Sequence, residues 1–138
     1  MERSTIDAVR AVPLFAELDD EALGHVVEIA APVEHPHGAV LIERGTPGSG
    51  LFVIMDGTVG IELRHRTVEA GPGETVGELS LLTDHAARVA RVLALTDVRS
   101  LAIGRAQFRD LLHEQPRIAI PMLGTLARRL QDLIEHPD

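Results

Sequence analysis

The sequence has no cysteine, lysine, tryptophan, tyrosine or asparagine, and only three phenylalanines occur among its 138 residues. The absence of cysteine excludes disulfides, thiolate catalysis and cysteine-based zinc sites. An aromatic share of 2% leaves no platform on which unpaired bases could stack, which argues against a single-strand nucleic-acid binder. A formal net charge of −8 argues against a protein that binds nucleic acid or an anionic membrane over a wide surface.

Long apolar runs are missing too, and the N-terminal segment does not resemble a signal peptide. We therefore expect a cytoplasmic protein that does not enter a membrane. With 138 residues, 45% of them apolar, the chain is long enough to bury one core without metals or disulfides. A single domain over residues 1–138 is the expected organisation.

Helical patterns occupy both ends of the chain. Asp19 stands where a helix N-cap is expected, and apolar residues at helical spacing predict a helix from Asp19 to Ala30 that stops before Pro32. Near the C-terminus, one helix is predicted for Arg105–His113 and another for about Ile118–Glu135. Proline breaks the pattern between these two helices.

Short β-branched runs, separated by turns that contain glycine and proline, fill the middle of the chain. Their spacing predicts seven or eight short strands in a barrel or jelly roll, so the fold is mainly β with flanking helices. Asp56-Gly57, between two apolar runs, is the strongest hairpin signal. The runs that predict strands are 39–42, 51–55, 58–63, 67–69, 89–95 and 98–103.

The stretch from Gly73 to Leu82, GETVGELSLL, is followed by Arg88, an isolated arginine in an apolar strand pattern. The two glycines free the backbone, and main-chain N–H groups at the start of a short helix form an anion site. The Arg88 guanidinium can pair with phosphate oxygens through two parallel hydrogen bonds. Glu78 would repel a phosphate but is suited to accept a hydrogen bond from a sugar hydroxyl. The stretch therefore predicts a site for a small phosphorylated sugar.

Four motifs, in order, make the chain resemble the cyclic nucleotide-binding domain, the β-roll of catabolite-activator-type transcription factors, kinase regulatory subunits and cyclic-nucleotide-gated channels. They are GAVLIERG at 38–45, LFVIMDGTV at 51–59, GETVGELSLL at 73–82 and RVARVLALTD at 88–97. The resemblance implies a double-stranded β-helix jelly roll. It implies N-terminal helices at 1–31, a β-roll at 32–103 with a phosphate-binding cassette at 73–92, and C-terminal helices at 104–138.

The resemblance also implies roles for individual residues. By position, Glu78 would accept the ribose 2′-OH and Arg88 would pair with the cyclic phosphate. The other ligand-binding residues would offer main-chain N–H groups or line the phosphate: Val76, Gly77, Leu79, Ser80, Val89 and Ala90. A structural alternative for Arg88 is a bond to Asp84 or Glu78 with no ligand involved.

Three positions depart from the family pattern. Val76 stands where the family usually has Phe. Val89 occupies a position where many members carry Ala, Ser or Thr, and it lacks a hydroxyl that could bond a guanine amine, which favours cyclic AMP over cyclic GMP. Arg91 replaces a usual Thr or Ser, and strand alternation predicts that it points away from the ligand.

The function implied is a regulatory sensor without catalysis, whose ligand is cyclic AMP or a related nucleotide and which needs no other cofactor. Ligand would draw the C-terminal helix over the base, and binding biases that helix only through a difference in affinity between open and closed states. Because the sequence ends at Asp138 before any helix-turn-helix, we expect an effector protein, not nucleic acid, to receive the signal.

The last helix has leucines three and four residues apart, which predict a stripe that faces the core or, alternatively, the seam of a homodimer. The adjacent Arg128 and Arg129 are expected to be solvated. The leucines are Leu123, Leu126, Leu130 and Leu133.

Two other interpretations of the chain stay open. A β-roll of the same fold that has lost its ligand would serve as a protein-interaction module. His35-Pro-His37, with Glu43 after it, loosely resembles the metal motif of cupins, and imidazole and carboxylate could hold a divalent transition metal there. Glu43 is one residue further along than that motif allows, and the chain has no Asn for a second motif.

Overall fold

The computed structural model describes residues 2–43, 50–63, 65–77 and 90–136. Helices α1 (Glu2–Arg10) and α2 (Asp20–Ile29) precede the strands, and α3 (Arg105–Glu114) and α4 (Ala119–Glu135) follow them. None of the helices in these ranges is long and apolar enough to cross a membrane. The strands are β1 Ala30–His35, β2 Val40–Ile42, β3 Gly50–Asp56, β4 Val59–Glu62, β5 Thr67–Ala70, β6 Thr75–Val76, β7 Arg91–Ala94 and β8 Val98–Gly104.

The strands form two four-stranded sheets, with the orders β1-β8-β3-β6 and β2-β7-β4-β5. Neighbouring strands in both sheets run antiparallel. The predicted β fold with flanking helices is confirmed.

Apolar side chains pack on both faces of the first sheet because successive residues of a strand point to opposite sides. In β3, Leu51 and Val53 belong to a cluster that joins the sheet to the helices, including Phe15, Phe108 and Ile118. Ile54 belongs to a second cluster, built from both sheets, that fills the space between them. The helices therefore cover one side of the roll, and the second sheet closes the other.

The N-cap prediction for α2 is confirmed, since the Asp19 side chain accepts a 2.9 Å hydrogen bond from the main-chain N–H of Ala22. The helix ends at Ile29, and β1 begins at the next residue. This first strand was missed in the sequence because it contains Pro32. It lies at the edge of its sheet. Proline has no N–H to donate, but on the open side of an edge strand no neighbouring strand needs that hydrogen bond.

The hairpin prediction at Asp56-Gly57 is wrong. The turn does join β3 to β4, but β3 pairs with β6 and β8 whereas β4 pairs with β5 and β7. Gly57 has a φ of +88°, and a Cβ there would overlap the main-chain carbonyl oxygen of Asp97. At position 57 an L side chain would be strained. The glycine thus allows the chain to cross from one sheet to the other beside the β7–β8 turn.

Candidate functional site

The short strand β6 carries the first part of the predicted cassette to the edge of the first sheet. Phe52 and Val53 of β3 are the register partners of Val76 and Thr75. Val76 is buried between the sheets, which explains why an aliphatic residue suffices at this position. Gly77 follows with a φ of +101°, a conformation that favours glycine.

The turn before β6 is held by main-chain hydrogen bonds. The N–H of Gly73 donates to the carbonyl of Ile54 (2.8 Å), and the N–H of Ile54 donates to the carbonyl of Glu74 (2.9 Å). The Glu74 carboxylate accepts a 2.7 Å bond from the N–H of Gly71. Gly73, with a φ of +88°, supplies the left-handed residue in this turn. The backbone therefore reaches Gly77 along a fixed path.

Strand β7 contributes to the opposite sheet. Val92 and Ala94 are buried between the sheets, and Ala90, which precedes the strand, is partly buried. Arg91 is the register partner of Glu62 in β4, and its Nε lies 3.5 Å from the Glu62 Oε1. The predicted alternation is confirmed: Val92 turns inward, and Arg91 pairs with a carboxylate on the other face.

Three of the predicted ligand-binding residues, Val76, Gly77 and Ala90, lie in the part of the chain that the structure describes. Val76 ends the edge strand of one sheet and Gly77 follows it, whereas Ala90 directly precedes β7 in the other sheet. Asp84, the alternative partner of Arg88, lies outside the described residues. So do the remaining predicted site residues, Glu78, Leu79, Ser80, Arg88 and Val89.

Helix α4 is fastened to the roll next to this site. The Arg129 guanidinium donates to the main-chain carbonyl of Thr75, and Arg66, at the β4–β5 turn, pairs with Asp132. The expectation that Arg129 is solvated is therefore wrong, although Arg128 is exposed. Residue 129 falls on the same face of the helix as the buried Met122, but the sequence alone carries no signal that Met122, and not the leucines, faces the body.

The leucines of α4 do not form the predicted core-facing stripe. Leu126 packs partly against the core, but Leu123 and Leu130 are 63% and 59% exposed. Ile120 and Ile134 are also exposed, at 71% each. The face that packs on the body is set instead by Met122, the residue of this helix that is buried in the core.

The two histidines of the cupin-like motif take different environments. His35 is 8% exposed, and its Nε2 is joined to the Ser100 Oγ by a 2.8 Å hydrogen bond. The side chain of His37 is exposed. Among the described residues, which include Glu43, no three His, Asp or Glu side chains are grouped so that they could hold a metal ion. The structure gives the metal interpretation no support.

His35 makes stability depend on pH. The ring lies between the sheets, with its centroid 5.6 Å from that of Phe52, and burial lowers the pKa of the imidazole below its ordinary 6.5. Near pH 6 the unfolded chain therefore binds more protons than the folded one, so the free energy of unfolding falls as pH drops below about 6.5. We expect a slope of up to about 1.4 kcal/mol per pH unit from this residue.

Denaturant unfolding of the wild type and of His35→Gln between pH 7.5 and 5 measures this slope. The variant should show a flatter profile because its amide does not titrate. His37→Gln, at the exposed histidine two residues on, should keep the wild-type slope. Parallel profiles for wild type and His35→Gln would contradict the assignment.

The two paired sheets, the short β6 followed by Gly77 and the docked C-terminal helix define a β-roll. The sequence profile of the cyclic nucleotide-binding domain matches residues 32–115. The chain therefore belongs to the cyclic nucleotide-binding domain family, as its motifs predicted.

Proteins similar to this chain include an ion channel, a catabolite activator protein and a kinase regulatory subunit. A cyclic nucleotide-gated potassium channel of Rhizobium etli is 35% identical over 121 residues, which are 88% of this chain and 34% of the channel. The catabolite activator protein of Thermus thermophilus is 31% identical in a structural match that covers 91% of this chain and 62% of that chain, with a TM-score of 0.79.

A third similar protein is the regulatory subunit of a cAMP-independent protein kinase A from Trypanosoma cruzi, solved bound to guanosine. It is 25% identical, with a TM-score of 0.79, and the match covers 97% of this chain and 49% of that chain. The chain thus spans only part of the length of each of these three proteins.

Proposed function

We propose that this domain is a cytoplasmic sensor that binds a cyclic mononucleotide, cyclic AMP in preference to cyclic GMP, and passes the signal on through α4. The observation that carries the proposal is the backbone path of the cassette. A buried strand ends at Val76, and Gly77 turns the chain in the left-handed conformation where anion-binding main-chain N–H groups are expected. Family membership makes a cyclic nucleotide the chemical class of the anion.

In this proposal, each predicted residue has the role that the family resemblance implies for it. Arg88 neutralises the cyclic phosphate, and Glu78 accepts a hydrogen bond from the ribose 2′-OH. Val89 offers no hydroxyl to a guanine amine, which favours adenine. The remaining contacts come from main-chain donors and from residues that line the phosphate: Val76, Gly77, Leu79, Ser80 and Ala90.

The proposed output is mechanical. The family is regulatory, and the sequence offers no constellation of nucleophile and base that would support catalysis by the domain. Ligand would shift α4 toward the position in which it covers the base, by binding that state more tightly. An effector protein would then recognise the changed position of α4.

We further propose that α4 pairs with α4 of a second copy. Its exposed apolar residues follow the alternating three- and four-residue spacing of a coiled-coil seam. The positions that would flank such a seam carry no charged residues, so two copies would meet without like-charge repulsion. The seam consists of Ile120, Leu123, Ala127, Leu130 and Ile134, and its flanking positions are Ala119, Gly124, Leu126, Gln131 and Leu133.

In the second candidate function, the β-roll no longer binds a cyclic nucleotide. It would then either bind a nucleoside or act through protein contacts alone. Three departures from the family pattern favour it: Val76 and Val89 are aliphatic at cassette positions where the family usually differs, and Arg91 replaces a usual Thr or Ser. A similar structure from Trypanosoma cruzi, named as cAMP-independent, holds guanosine. The two candidates differ in whether a phosphate contributes to affinity.

Calorimetry with cyclic AMP, cyclic GMP, 2′-deoxy cyclic AMP and guanosine tests the proposal. We expect cyclic AMP to bind most tightly, and a concentration of one hundred times Kd should stabilise the fold by about 2.7 kcal/mol. Glu78→Ala should reduce the preference of cyclic AMP over its 2′-deoxy analogue. Guanosine as the only binder, or no stabilisation by any compound at millimolar concentration, would favour the second candidate.

A further inference from the structure

The C-terminal half of α4 is attached to the roll by polar contacts and not by a buried apolar face. Met122, near the start of the helix, is the one residue of α4 that is buried among the described residues. Beyond Leu126, the apolar residues Leu130, Leu133 and Ile134 are 59%, 42% and 71% exposed. The first half of the helix is thus anchored in the core, whereas the second half depends on the contacts of Arg129 and Asp132.

These two contacts lie three residues apart on the helix, so they face the same side of it. Arg129 donates to the Thr75 carbonyl, and Asp132 pairs with Arg66. The ion pair is partly shielded, because the side chains of Arg66 and Asp132 are 26% and 45% exposed. A partly shielded charged contact is stronger than a fully solvated one, yet weaker than a buried core contact.

The position of Thr75 gives the Arg129 contact its importance. Thr75 precedes Val76 in β6, and Gly77 turns the chain immediately afterwards. Because β6 is two residues long and lies at a sheet edge, its neighbour β3 holds it on one side. The hydrogen bond from the Arg129 guanidinium to the Thr75 carbonyl connects α4 to β6. Movement of α4 and movement of the cassette backbone are therefore linked through this contact.

We propose that Arg129 is a positioning residue for the nucleotide site, and that it forms a two-point latch with the Arg66–Asp132 pair. The closed latch holds the C-terminal half of α4 on the roll and fixes the backbone that leads into Gly77. Opening the latch releases both. This inference rests on the proposed function only for its effect on nucleotide affinity, because the attachment of α4 is a property of the protein without ligand.

The coupling is reciprocal, as linkage requires. If the closed latch favours nucleotide binding, bound nucleotide must favour the closed latch by the same factor. An effector or second copy that holds α4 away from Thr75 would then lower nucleotide affinity without touching the nucleotide. Arg129 would transmit this effect through the backbone of β6.

The test compares Arg129→Ala with Arg129→Lys and with Arg128→Ala, whose guanidinium is exposed on the same helix. Hydrogen exchange of the protein without ligand reports on the latch. Arg129→Ala should exchange about tenfold faster than wild type at the α4 amides beyond residue 126 and at residues 75–77, since local opening governs exchange. Arg129→Lys should recover part of the protection, and Arg128→Ala should match wild type. Equal exchange in Arg129→Ala and Arg128→Ala would overturn the proposal.

A charge reversal tests the second point of the latch. Arg66→Asp and Asp132→Arg should each speed exchange in α4, and the double variant should restore it. The Asp56–Arg99 pair, an exposed ion pair elsewhere on the roll, provides the matched control, because its reversal should leave α4 unchanged. Faster exchange in both single variants that the double variant does not correct would argue against a direct pair.

Titration with cyclic AMP separates this inference from the proposed function. Arg129→Ala should weaken binding about 3- to 10-fold while the midpoint of thermal unfolding stays near that of wild type. Unchanged affinity in a protein whose α4 exchange has increased would overturn the positioning role. If the wild type binds no cyclic AMP but the exchange results hold, the proposed function fails and the latch stands.

Discussion

Arg88→Ala is expected to weaken cyclic AMP binding about 10- to 100-fold, because removing a charge-assisted pair costs roughly 1.5–3 kcal/mol. The chain carries a formal net charge of −8, so its overall field repels a phosphate and the attraction must be local. Main-chain N–H groups near Gly77 would remain in the variant, and they explain why binding should weaken and not vanish. Calorimetric titration of wild type and variant with cyclic AMP measures the difference.

Arg91→Ala is the matched control for Arg88→Ala. Both substitutions remove one arginine from the same segment, but Arg91 faces the other side of β7 and pairs with Glu62. Its loss should leave cyclic AMP affinity within about twofold of wild type, because its partly exposed side chain lies on the face of β7 opposite the buried Val92. Arg88→Lys should fall between wild type and Arg88→Ala, because an ammonium keeps the charge but not the two parallel hydrogen bonds. Equal losses in Arg88→Ala and Arg91→Ala would remove Arg88 from the site.

The architecture could be predicted from the sequence because the strands alternate clearly and the turns are marked by glycine and proline. Strand β3 shows the reason: Leu51 and Val53 face the helices, Ile54 faces the second sheet, and the run is therefore apolar throughout. Such a run predicts a strand that is covered on both faces. The same alternation predicted that Arg91 and Val92 would lie on opposite sides.

Sheet membership could not be predicted from the same patterns. A turn such as Asp56-Gly57 shows that the chain reverses or bends, but it does not show which strands pair afterwards. In this fold β3 pairs with the distant strands β6 and β8, whereas β4 pairs with the distant β7 and with β5, which follows it directly. Strand β1 was missed for a related reason, because Pro32 is acceptable only at an edge and edge position is a property of the whole sheet.

The orientation of α4 was the other feature beyond the reach of the sequence. Its apolar residues cover more than one face, so spacing alone is compatible with a core-facing stripe and with an exposed seam. The structure distinguishes them because Met122 and Arg129 contact the roll, which leaves Leu123 and Leu130 in solvent. The polar residue Arg129 thus faces the body of the domain, on the side of the helix where leucines were predicted.

Replacing both Leu123 and Leu130 by Glu is expected to convert a dimer into a monomer and to raise the dimer dissociation constant at least about 100-fold. Fully burying a leucine contributes about 1.5–3 kcal/mol, and each substitution counts twice in a twofold-symmetric pair. The introduced carboxylates would also face one another across the seam, at positions where the wild type is apolar. Sedimentation equilibrium of both proteins over a range of concentrations measures the dissociation constant.

Arg128→Glu distinguishes loss of the seam from a general effect of added negative charge on α4. Residue 128 is exposed but does not belong to the alternating apolar positions, so this variant should dimerise like wild type. Because Leu123 and Leu130 are already 63% and 59% exposed in a single copy, their replacement should leave the thermal stability of the monomer nearly unchanged. A wild type that remains monomeric at about 100 μM, where an association free energy of roughly 5.5 kcal/mol already gives substantial dimer, would contradict the proposed seam.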